Sequence, residues 1–90
     1  MHLFTLFMDF RGGTYISQIS ALDIRSALKQ WAEEINSKKI AHFGETSKKE
    51  LREKILLDTC VPVKDVKNVW CSGAALKTGC VFVHIVRTEH

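Results

Sequence analysis

Between Leu3 and Phe10 the chain alternates, yet both phases of the alternation carry large apolar side chains. Phe4, Leu6, Met8 and Phe10 fall on one side of an extended strand, and Leu3 and Phe7, with Thr5 and Asp9, on the other. A strand of this kind belongs in the middle of a sheet with both faces covered. In a chain of 90 residues that demand is hard to meet. Only about 60–65% of the unfolded surface of so short a chain is buried on folding.

Arg11-Gly12-Gly13-Thr14 follows the first strand, then Thr14 to Ser20, rich in β-branched and aromatic residues. Glycines that cradle phosphate lead into a helix N-terminus. These lead into a second strand, so the pair reads as a hairpin turn. Asp23 is a good N-cap for a helix whose stripe is Ile24, Ala27, Leu28, Trp31 and Ile35. Asn36 to Lys39 ends it, and residues 40–45 form a loop around Gly44. Ser47-Lys48-Lys49-Glu50 has the form of a capping box and predicts a second helix over 48–58, with Leu51, Ile55 and then Leu56 and Leu57 facing inward. Pro62 bars that helix from continuing past Val61.

A third strand is predicted over 66–75, a turn at Lys77-Thr78-Gly79, and a fourth strand over 80–88. In the last, Val81, Val83 and Ile85 alternate with Cys80, Phe82, His84 and Val86, again apolar in both phases. The expected fold is α+β: one domain over residues 1–90, in the order ββααββ, with a four-stranded antiparallel sheet and two helices packed on one face. Two short helices cover one face of four strands. The other face then has no cover within the chain, and a contiguous exposed apolar patch marks an interface.

Composition narrows the function classes. The formal net charge is +3, too weak a footprint to point to nucleic acid by itself. Three cysteines, Cys60, Cys71 and Cys80, show no C-x-x-C spacing, which fits thiols used as small apolar residues in a reducing compartment. The start has no basic n-region and no run of 18 apolar residues occurs, so a cytoplasmic chain is expected, with no membrane partner.

Few groups suggest chemistry. A hairpin through Lys77-Thr78 sets Cys71 opposite His84, a candidate nucleophile pair or half a metal site. Cys80 and His84 lie about 13 Å apart along one strand, too far to share a metal. No carboxylates are paired by recognisable spacing. The chain is therefore expected to be no enzyme, with no catalytic residue, no metal and no cofactor. Lys38, Lys39, Lys48, Lys49 and Arg52, continuing to Lys54, Lys64 and Lys67, form a mildly basic middle. That is the alternative reading, a weak nucleic-acid module. Glutamates are interleaved among the bases, and no aromatic stacking platform lies among them.

The opening half carries a resemblance. "RGGTYISQ" followed by "ALDIRSALKQWAEEI", with its Ala27-Leu28 pair, resembles small bacterial proteins of the immunity and antitoxin type, HicB-type antitoxins among them. The resemblance covers about the first 35 residues and implies a protein that occludes a partner. The leading expectation is a non-enzymatic protein-binding module or homodimer. Leu3, Phe7, Trp70 and Phe82 would supply burial, with Arg11 and Lys77 at the rim.

Overall fold

The computed structural model describes residues 1–57 and 60–88; the side chains of Leu56 and Leu57 also lie outside what it describes. The elements are β1 (His2–Phe10), β2 (Gly13–Ala21), α1 (Ile24–Glu34), a 3-10 turn (Ser37–Lys39), α2 (Gly44–Leu57), β3 (Val61–Pro62), β4 (Val69–Leu76) and β5 (Gly79–Thr88). They form one antiparallel sheet in the order β2-β1-β5-β4-β3. The class is α+β, with five strands where four were expected. The extra strand is the two-residue Val61–Pro62, too short to leave a periodicity signal.

The two strands that read as apolar in both phases, β1 and β5, are neighbours at the sheet centre. Phe4, Leu6, Met8 and Phe10 meet Val81, Val83 and Ile85 on one face, and all are buried. The chain leaves β2 at one edge, crosses this face as the two helices, and joins β3 at the other edge. The helices supply Ala27, Leu28, Trp31, Ala32, Leu51 and Ile55 to the same core.

Local chemistry sets each junction. The β1–β2 loop is Arg11-Gly12, not the glycine pair. Both residues sit at positive φ (48° and 83°), as a two-residue hairpin with the twist of its strands requires. Asp23 caps α1, its carboxylate accepting from the Ser26 N–H at 2.8 Å. Two expectations fail locally. α2 begins at Gly44, so Ser47 lies inside its first turn rather than at the cap. The start is fixed by the preceding loop: Ile40 and Phe43 are buried, and Phe43 meets Phe10 edge-on with ring centroids 5.2 Å apart. Ser47 is buried and shares a 2.7 Å hydrogen bond with the Thr78 hydroxyl. Likewise β4 starts at Val69 rather than Val66, because Asp65 and Asn68 both take positive φ. The expected last residue of α2, Asp58, lies outside the described residues.

Candidate protein-binding face

The second face of the sheet is built by the other phase of every strand. Register aligns Ile16 of β2, Phe7 of β1, His84 of β5, Cys71 of β4 and Val61 of β3 in one row across all five strands. On one side of it runs Thr14, Asp9, Phe82 and Gly73, and on the other Gln18, Thr5, Val86 and Val69. Both helices and the 40–45 loop lie on the opposite face, so nothing in the described chain covers these rows. Ile16 is 63% exposed, Phe82 58% and Val61 53%. Phe7 and Leu3 are half-buried by their neighbours in the sheet.

Several polar groups of this face bond one another. The Gln18 amide donates to the Thr5 hydroxyl at 3.1 Å, which shares a 2.8 Å bond with that of Thr88. The Thr14 hydroxyl donates to Asp9 at 2.7 Å. The central row offers apolar contact from Ile16, Phe7 and Val61, with the exposed His84 as its one strongly polar member. Asp9 is the one carboxylate on these three rows, while exposed lysines and glutamates crowd the helical side. Gly73 keeps the Phe82 region flat: a Cβ there would meet the Val81 carbonyl oxygen at 2.9 Å.

The expected interface residues divide. Leu3, Phe7 and Phe82 share the open face. Arg11 and Lys77 lie at one end of the sheet, where the Arg11 guanidinium donates to the Thr78 carbonyl at 3.2 Å and ties the two hairpin turns together. Trp70 is on the other side. It pairs with Ile85 in register and packs against Phe4, ring centroids 6.1 Å apart. Ile16, Val61, Val69 and Val86 were not singled out from the sequence. A turn at the glycine pair would set Phe7 opposite Gln18; the Arg11-Gly12 turn, one residue earlier, sets it opposite Ile16 instead.

Other candidates are placed as follows. Cys71 and His84 are directly paired on the open face, but the described residues hold no cluster of three or more metal-ligating side chains. Burial, with Cys71 nearby, pushes the Cys60 thiol up to about 11. Lys38 and Lys39 sit on the 3-10 turn, and Lys48, Lys49 and Arg52 on α2. Glu45, Glu50 and Glu53 lie among them, and Glu50 pairs with Lys54 at 3.3 Å. A cavity of about 520 Å³ lies between β2 and the end of α1, walled by Tyr15, Ile19, Trp31, Ile35 and Ile40. No described helix is long and apolar enough to cross a membrane.

No protein-family model, curated protein or solved structure matches this chain.

Proposed function

We propose that the chain works by binding another protein through the open face of its sheet, occluding that partner in the manner of an immunity protein or antitoxin. The observation that supports this reading is the Ile16–Phe7–His84–Cys71–Val61 row with Phe82 beside it. This apolar band spans the sheet and is left uncovered by a chain whose helices all pack on the other side. A fully exposed large side chain buried there contributes at most about 1.5–3 kcal/mol before the costs of association, and the half-buried Phe7 less. Arg11 and Lys77 supply charge at the rim.

The test is affinity isolation from the source cell with wild type, Phe82→Lys and Lys49→Glu. Lysine is chosen because Asp9 stands opposite Phe82, where an introduced aspartate would set like charges face to face. A partner held by wild type and Lys49→Glu, and lost from a folded Phe82→Lys, is the expected result. Equal retention by all three proteins rejects the face. Loss from Lys49→Glu alone, with retention that falls steeply as salt rises, points instead to the basic helical side.

A further inference from the structure

The two edges of the sheet are unlike. One edge is β3, two residues long, containing Pro62 and followed by Lys64 and Lys67. Short length, proline and lysine are the devices by which an edge is kept from pairing with other strands. The other edge is β2, nine residues with the sequence GTYISQISA. It has no charged residue, no proline and an unbroken register with β1, hence no bulge. Of the guards that close β3, β2 has none.

The backbone groups left open on β2 follow from its turn. In a two-residue hairpin the flanking pair, Phe10 and Gly13, is hydrogen-bonded, and hydrogen-bonded pairs then recur at every second residue. Gly13, Tyr15, Ser17, Ile19 and Ala21 thus spend their N–H and C=O groups on β1. Those of Thr14, Ile16, Gln18 and Ser20 point away from the sheet, where the described residues place no further strand. Such a ladder is complemented by another extended strand. Alongside it runs the cavity under the end of α1, whose lining takes in every residue from Thr14 to Ile19. Consecutive residues of both phases line one cavity only where it passes along the strand's backbone edge.

The sequence of β2 is complementary to itself. An antiparallel two-fold centred on Ser17 pairs Ile16 with Gln18 and Thr14 with Ser20 of the second strand. It is the one symmetric register that uses all four outward residues, and it makes about eight ladder bonds. On the helical face Tyr15 then stands against Ile19 and Ser17 against Ser17, an aromatic–β-branched pair and a hydroxyl pair. No charge meets a like charge at any position, because the strand carries none. In a chain with 13 basic and 10 acidic residues, a nine-residue neutral stretch on an exposed edge matches itself in charge.

We infer that a second copy of this chain pairs with the first through β2, giving a two-fold dimer with a continuous ten-stranded sheet. The two-fold is perpendicular to the sheet, so both helical layers share one side and both open faces the other. The pairing uses the backbone edge of β2, while the side chains of Thr14, Ile16 and Gln18 stay on the open face.

The test is the mass in solution across a hundredfold range of concentration, for wild type, Gln18→Pro and Phe82→Lys. Proline at 18 removes an outward N–H and no backbone bond to β1, losing besides only the exposed Gln18–Thr5 side-chain bond, and is tolerated on an edge strand. A wild-type dimer, a folded monomeric Gln18→Pro and a dimeric Phe82→Lys are expected. A wild type that stays monomeric throughout overturns the inference. So does a dimer lost in Phe82→Lys but kept in Gln18→Pro, which would place self-association on the open face. Ser17→Cys gives a second readout that does not depend on the proline variant folding. On mild oxidation a disulfide joining the two introduced thiols should appear by peptide mass spectrometry, since residues facing across the two-fold come within about 4.5 Å. Its absence from an oxidised dimer would exclude this register, and pairing of β2 with a foreign strand would show as wild-type monomer.

Discussion

Phe82 and Val81 are sequence neighbours with opposite fates. Val81 is fully buried against Phe10, while Phe82 is 58% exposed one position later. Period two alone makes that difference, and it sets how substitutions should behave. Leu6→Ala removes a side chain with no exposed surface and should cost about 2–5 kcal/mol, read by denaturant unfolding. Ile16→Thr, on the open face, should stay within about 0.5 kcal/mol of wild type where the protein is monomeric. The thiols divide by the same logic. Burial holds Cys60 protonated well into the alkaline range, whereas Cys80 is exposed. At pH 8 an alkylating reagent should label Cys80 well before Cys60, followed by peptide mass spectrometry. Faster labelling of Cys60 would contradict its placement against the core.

Among the elements, α2 is held to the β4–β5 hairpin by polar contacts as well as apolar ones. Ser47 bonds Thr78, the Lys77 N–H donates to Glu50 at 3.1 Å, and Lys54 reaches the Ala75 carbonyl. The Lys77 N–H, and then Lys54, hold the Glu50 carboxyl below its ordinary value of 4.5. A carboxyl lowered in the folded state contributes stability that is fully present above its unfolded value and is lost as pH falls through the folded one. Glu50→Gln should therefore flatten the acid limb of stability against pH below about 4.5 while changing little in the slope near neutrality, measured by urea titration at a series of pH values. An acid limb identical to wild type would remove Glu50 from that role. Gly73 is the corresponding constraint in β4. Gly73→Val drives a side chain against the Val81 carbonyl and should lower thermal stability, with Gly73→Ala intermediate.

For the whole molecule, the layer arrangement leaves one sheet face bare. Two helices and a buried loop cover the side built from Phe4, Leu6, Met8 and Phe10, and among the described residues all the cover lies there. A hydrophobic dye should bind native wild type and bind Phe82→Lys more weakly, at unchanged thermal stability. Equal dye binding would mean the bound apolar surface lies elsewhere, the cavity beside β2 being the first place to look.

The sequence alone determined what depends on near neighbours. A hairpin within the Arg11–Thr14 stretch, the Asp23 cap, the α1 stripe with Trp31, the pairing of Cys71 with His84 and the two-sided character of β1 and β5 all follow from period, turn chemistry and loop length, whereas the hairpin's register, set by Arg11-Gly12 rather than the glycine pair, does not. Leu3, Phe7 and Phe82 could be set on an uncovered face for the same reason. Tertiary structure decided the rest. Trp70 turned inward because register with β5 places it opposite Ile85. α2 began at Gly44 because Phe43 found Phe10, a contact across more than 30 positions that no local pattern at Ser47 announces. The order of strands is the largest of these decisions. Antiparallel pairing of β1 with β5 puts the two strands that carry large apolar side chains in both phases side by side within the sheet and leaves β2 as an edge. Hydrogen-bonded ladders are specified between strands distant in sequence, so an open edge is a property of the assembled sheet.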